Sequence, residues 1–127
     1  MSIKSEKGKY VSGLGYHERY AANVNVQKIG ENEIWEVLFK GDNQVSLKSP
    51  HGRYLIAHGN GKVEAGAQKA NPGETFILED MGDGTVAFKP FFHKGRYLVA
   101  GSDGSFTNQD AAATGTNKTF EIIPAGE

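Results

Sequence analysis

Residues 51–57 read HGRYLIA, and residues 94–100 read KGRYLVA. A weaker copy, KGKYVSG, occupies residues 7–13. Gly8, Gly52 and Gly95 lie 44 and 43 positions apart, and each is followed by a basic residue and a tyrosine: Lys9-Tyr10, Arg53-Tyr54, Arg96-Tyr97. Upstream, SIKS, VSLKS and VAFKP put Ile3, Leu47 and Phe88 in register. Downstream, EIWEV, ETFIL and KTFEI do the same for Trp35, Phe76 and Phe120. Several features recur in one order at one period, which is how a repeat architecture is written in sequence.

Each unit divides into four short runs. In the second they are VSLKS, YLIAH, KVEAG and TFILED. Turn chemistry separates them: Pro50-His51-Gly52, then His58-Gly59-Asn60-Gly61, then Asn71-Pro72-Gly73. Asn and Gly tolerate positive φ, so the second of these is a hairpin signal. Apolar residues alternate at period two and glycine interrupts often, which predicts strands and no helix. The expected core is Val45, Leu47, Leu55, Val63, Phe76 and Leu78 in the second unit. In the third it is Val86, Phe88, Leu98, Phe106, Phe120 and Ile122. In the first it is Met1, Ile3, Val11, Val24, Trp35 and Val37.

Three four-stranded units lacking polar end caps do not make an open solenoid. Closing the sheet removes its edges. The sequence therefore predicts an all-β chain, a single β-trefoil domain over residues 1–127. It has three pseudo-equivalent four-stranded units near 1–43, 44–84 and 85–127, forming a six-stranded barrel with a hairpin cap. In this reading glycine permits each repeated turn, the basic residue points outward, and Val11, Leu55 or Leu98 enters the core.

Charge is balanced, 14 basic residues against 15 acidic. No global field favours nucleic acid or a membrane surface. The absence of cysteine excludes disulfides and sulfur-ligated zinc. No run is long and apolar enough to be a signal peptide or a membrane span. The expectation is a cytoplasmic protein, and Asn117-Lys118-Thr119 is read as a chance sequon. His17-Glu18 are neighbours in sequence, which makes no dyad. DMGDG, residues 80–84, lacks the spacing of a calcium loop. HGNG, residues 58–61, has no helix after it to make a phosphate loop. No cofactor, metal site or catalytic residue is expected, and the chain is read as a binding module.

Loops are the expected contact surface. The repeated turns supply Lys7, Lys9, Arg53, Lys94 and Arg96. The first hairpin adds Tyr16, Arg19 and Tyr20 within GLGYHERYAANVN. Tyr10 to Val24 spans 14 positions, against nine from Tyr54 to Val63 and nine from Tyr97 to Phe106. The first loop is therefore expected to be about five residues longer. Exposed aromatics beside an arginine are what contact sites use. An alternative, sugar-binding set is Tyr16, Tyr20, Asn23, His58, Asn60, Asp103 and Asn108. Phe91 and Phe92, beside Lys94, are either an exposed patch or local core.

VSLKSPHGRYLIAHGNGKVEA, NEIWEV and GETFIL closely resemble the trefoil units of fascin and of the hisactophilins. The shared pattern is an apolar strand, Gly-(Lys/Arg)-Tyr-Leu, a glycine hairpin, a Val-led strand and an aromatic-led strand. It recurs in all three units. The Gln-x-Trp motif of ricin-type lectins is missing, and four histidines are too few for a hisactophilin-like pH switch. The resemblance implies a cytoskeletal module that binds an acidic protein surface such as filamentous actin. Glycans are the alternative partner.

Overall fold

A computed structural model describes residues 1–69, 72–93, 95–110 and 118–124. Lys94 and Asn117 lie outside them. Twelve strands run through the described residues. The first unit holds β1 (Ser2–Ser5), β2 (Tyr10–Gly13), β3 (Ala22–Val26) and β4 (Glu36–Gly41). The second holds β5 (Gln44–Lys48), β6 (Tyr54–Ala57), β7 (Val63–Ala67) and β8 (Phe76–Asp80). The third holds β9 (Val86–Pro90), β10 (Arg96–Ala100), β11 (Phe106–Asp110) and β12 (Phe120–Ile123).

The first and last strand of each unit build the barrel. Hydrogen bonding runs β1–β12–β9–β8–β5–β4. Met1 and Trp35 close the ring by exchanging backbone bonds, Trp35 N–H to Met1 O at 2.6 Å and the Met1 amine to Trp35 O at 2.7 Å. The same junction recurs as Val45↔Phe76 and Val86↔Phe120. All three large aromatics therefore occupy one threefold position, and Trp35 is only 1% exposed. Its indole N–H donates to Val11 O at 3.0 Å, which satisfies the one polar atom this side chain brings into the core.

Thirteen of the eighteen expected core positions are buried. Met1, Val37, Leu78, Val86 and Ile122 are half-buried. Val37, Leu78 and Ile122 follow Trp35, Phe76 and Phe120 by two residues and pack against the same core. The repeated tyrosines do not enter the core. Lys4 Nζ lies 5.9 Å above the Tyr10 ring centroid and Lys48 Nζ 5.8 Å above that of Tyr54. Tyr97 is covered instead by Lys118 at 4.6 Å.

The middle strands form three cap hairpins, β2–β3, β6–β7 and β10–β11. Their pairing corrects the sequence register. Gly13 faces Ala22, Ala57 faces Val63 and Ala100 faces Phe106. Ala22, not Val24, is thus the partner of Val63 and Phe106, and Val24 matches Ala65 and Asn108. Val24 is still buried, one inward position further along. The first loop, residues 14–21, exceeds loops 58–62 and 101–105 by three residues rather than five.

A ring of backbone bonds ties the hairpins around the axis. Tyr20 O accepts from Ala65 N–H at 2.7 Å, Gly61 O from Asn108 N–H at 2.9 Å, and Gly104 O from Val24 N–H at 2.8 Å. Each accepting residue has positive φ, 56° at Tyr20, 94° at Gly61 and 89° at Gly104. That conformation turns the carbonyl toward the neighbouring hairpin, and glycine adopts it without a Cβ clash.

Candidate functional site

Each cap loop leans on the repeated turn of the next unit, giving three pseudo-equivalent grooves. Loop 14–21 meets the second turn. A Cβ added to Gly15 would stand 3.1 Å from His51 Nδ1, and the Arg53 guanidinium carbon sits 4.5 Å from the Tyr20 ring centroid. Loop 58–62 meets the third turn, where a Cβ on Gly59 would stand 3.4 Å from His93 Cε1. This groove of about 480 Å³ is lined by Asn60, Lys62, Arg96 and Asn108, among others. Loop 101–105 meets the first turn around a cavity of about 190 Å³, which Lys7, Lys9, Asn25, Ser102 and Asp103 help to line.

In the first groove a 3-10 turn over Tyr16–Glu18 presents Tyr16, which is 74% exposed. Its ring meets those of His17 and Tyr20 edge-on, at 5.9 and 6.3 Å. Arg19 is exposed and, like Tyr20, left-handed, with φ of 55° and 56°. Two consecutive non-glycine residues in that region carry strain of about 1–2 kcal/mol each. His51 is fixed from below by a 2.8 Å bond between its Nε2 and Asn32 Oδ1. Glu18 is the carboxylate of the loop, and it is exposed.

Two basic residues depart from expectation. Arg53 and Arg96 do not point outward; both fold back along their own hairpins. Arg53 Nη1 donates to Gly66 O at 3.2 Å. Arg96 donates through Nε to Asn108 Oδ1 at 2.5 Å, through Nη2 to Asn108 O at 2.8 Å and through Nη1 to Asp110 at 3.3 Å. The cause is the forked donor set: an arginine at a hairpin start reaches the carbonyls of the facing strand, where lysine offers only a point charge. Lys7 is exposed and Lys9 half-buried.

Asn108 requires the plainest correction. It is 1% exposed, and its amide is consumed, donating to His58 O at 3.1 Å and Lys62 O at 3.3 Å. It bridges the second and third hairpins and presents nothing to a sugar. The rest of that set is scattered over the three grooves. Asn60 Oδ1 accepts from Lys62 N–H at 3.1 Å, and Asp103 Oδ1 from Ser105 N–H at 3.0 Å; both residues are exposed. Hydrogen bonds from the Ser105 hydroxyl and backbone hold the Asp103 carboxyl below its ordinary value. His58 Nε2 lies 3.2 Å from Glu64 Oε1. Asn23 is half-buried, and its Oδ1 has no hydrogen-bond partner among the described residues.

One further residue escaped the sequence reading. Glu33 is buried beneath the first groove, accepting from Ser12 Oγ at 2.6 Å and Gly30 N–H at 2.8 Å. It ties the turn before Trp35 to β2, and the Gly30-x-x-Glu33 spacing is the available signal. At the third turn Phe92 is 64% exposed, while Phe91 is half-buried, its ring 5.6 Å from that of Phe92. Among the described residues no group of three or more His, Asp or Glu side chains is placed to hold a metal. No helix there is long and apolar enough to cross a membrane.

No curated protein matches the chain. Solved structures resemble it over nearly its whole length. A designed threefold-symmetric protein, ThreeFoil, is 20% identical with a TM-score of 0.78, covering 97% of this chain and 96% of its own. SeviL bound to asialo-GM1 saccharide is 12% identical with a TM-score of 0.80, covering 98% and 95%. At such identities the likeness is one of fold: a β-trefoil. The family model of the Fascin domain matches residues 11–122. With most of its length matched and a threefold barrel, the chain belongs to the fascin family.

Proposed function

We propose that this fascin-family trefoil is a non-catalytic, cytoplasmic binding module whose partner is an acidic protein surface such as filamentous actin. The observation that supports this most is the first groove. There Tyr16 and Arg19 stand exposed, three residues apart and joined by a 3.0 Å backbone bond, on a loop braced by His51 and Arg53. An aromatic with an adjacent arginine offers apolar contact and a charged anchor together. Net charge is only −1, so the cationic character is local and docks a partner without making the whole surface adhesive. Lys7 and Lys9 extend this character to the third groove. Cosedimentation with actin filaments over a salt series tests the reading. Saturable binding that weakens steeply as salt rises is expected, because exposed charge contacts are screened. No sedimentation at low salt overturns it.

A second reading is glycan binding. Tyr16 offers an open ring face of the kind on which sugars stack, and SeviL, of the same fold, was solved with a saccharide. A saturable, salt-insensitive hit on a glycan array, with no filament binding, favours it.

A further inference from the structure

Resting on the reading of the first groove as the contact surface, we infer that Arg53 and Tyr20 do not touch the partner. They are positioning residues that lock the loop carrying Tyr16 and Arg19, and this lock restricts the module to one binding surface instead of three.

Tyr20 sits in a notch. A Cβ added to Gly66 would stand 3.1 Å from Tyr20 Cβ, so the missing side chain at Gly66 makes room for the tyrosine. Arg53 closes the notch from the other side. Its guanidinium stacks 4.5 Å from the ring centroid while Nη1 bonds Gly66 O at 3.2 Å. Tyr20 O is held by Ala65 N–H at 2.7 Å. Ring and carbonyl are thus fixed by the second hairpin, although Tyr20 belongs to the first. A tyrosine at φ 56° persists only where its surroundings hold it there. The next residue back, Arg19, is exposed, and its backbone N–H bonds Tyr16 O at 3.0 Å, which keeps the exposed Tyr16 close to it.

Among the described residues the other grooves have no such device. Gly61 and Gly104 stand at the Tyr20 position, so neither has a ring to be clamped. Arg96, the counterpart of Arg53, spends its donors on Asn108 and Asp110. Lys9, the third counterpart, carries no fork. One groove of three therefore presents a rigid aromatic–cationic loop.

Two measurements on the full chain test this. The first is trypsin cleavage at the Arg19–Tyr20 bond of the folded protein, which reads opening of the loop without any ligand. Arg53→Lys and Tyr20→Leu are expected to be cut there about tenfold faster than the parent. Tyr20→Phe, which keeps the ring, is expected to behave as the parent, with Trp35 fluorescence unchanged throughout. The second is the salt dependence of filament cosedimentation. Arg53→Met should weaken binding and leave the salt slope intact, whereas Arg19→Met should flatten the slope, because only a contacting charge is screened against the partner. Equal cleavage of Arg53→Lys and the parent overturns the lock. A slope flattened as much by Arg53→Met as by Arg19→Met makes Arg53 a contact and overturns the assignment. If the parent does not sediment at all, the proposed partner fails, and the cleavage rates still decide the lock.

Discussion

Loop 14–21 and loop 101–105 occupy the same place in the trefoil, and both give a backbone carbonyl at positive φ to the neighbouring hairpin. Gly104 does this in a five-residue loop, whereas Tyr20 does it in an eight-residue loop that carries two left-handed side chains. The threefold frame demands the carbonyl and leaves the rest open. The core, by contrast, repeats closely: Ile3, Leu47 and Phe88 are all buried, as are Trp35, Phe76 and Phe120. Symmetry is kept where burial decides and abandoned in the exposed first loop.

The comparison breaks hardest where the units agree. Trp35→Ala is expected to cost about 3–5 kcal/mol, the range for removing a large buried aromatic. It also strips Val11 O of its indole donor. Urea denaturation measures the loss, and a loss under about 1 kcal/mol removes Trp35 from the shared core layer. Next comes Gly104→Ala, at about 2–3 kcal/mol. Its new Cβ meets left-handed strain and stands 2.7 Å from Asn25 Cβ, whereas a Cβ on Gly61 faces nothing nearer than Asn108 O at 3.3 Å. The expected order of melting temperatures puts Gly104→Ala below Gly61→Ala, and equal values contradict the hairpin ring as described.

Asn108→Ala is the sharper test of asymmetry, because it restores the residue type of Ala65 at the matching position. The loss is expected to be about 1–3 kcal/mol despite that, since Arg96 Nε loses its acceptor and the carbonyls of His58 and Lys62 each lose one of their two donors. A stabilised variant contradicts a structural role for the amide.

The smallest effect is electrostatic. Burial raises the Glu64 carboxyl, but hydrogen bonds from His58 and Lys62, with their charges, outweigh it and hold the group below its ordinary 4.5. A depressed folded value means stability that is present above about pH 4.5 and lost as pH falls through the lower, folded value. Glu64→Gln is expected to lose part of the acid dependence of the melting temperature and little else. An unchanged acid limb places the shift in other groups.

The fold was legible because a period near 43 residues, glycine before tyrosine and aromatic-led strands all say one thing. The grooves were less so. Asn108 looks like a loop residue by type, and only its spacing, two after Phe106 as Ala65 is two after Val63, marks it as inward. Arg53 and Arg96 read as outward charges because nothing local shows that a facing strand offers them carbonyls. The register of Val24 slipped by one inward position because counting to the first valine hides that Ala22 closes the hairpin against Gly13 after an eight-residue loop. Tyr16 and Arg19 were legible as candidates. Their bracing was not, since Tyr20, Arg53 and Gly66 meet only through the threefold packing.

The most direct test of the central claim is to replace residues 14–21 with the five-residue sequence of 58–62, His-Gly-Asn-Gly-Lys, and to measure filament cosedimentation at low salt. That loop places a glycine where Tyr20 now supplies its carbonyl, so the hairpin ring is kept and the chimera is expected to fold with a cooperative melt. It is expected to lose binding that the parent retains. A folded chimera that sediments as well as the parent contradicts the claim that the first loop is the contact surface.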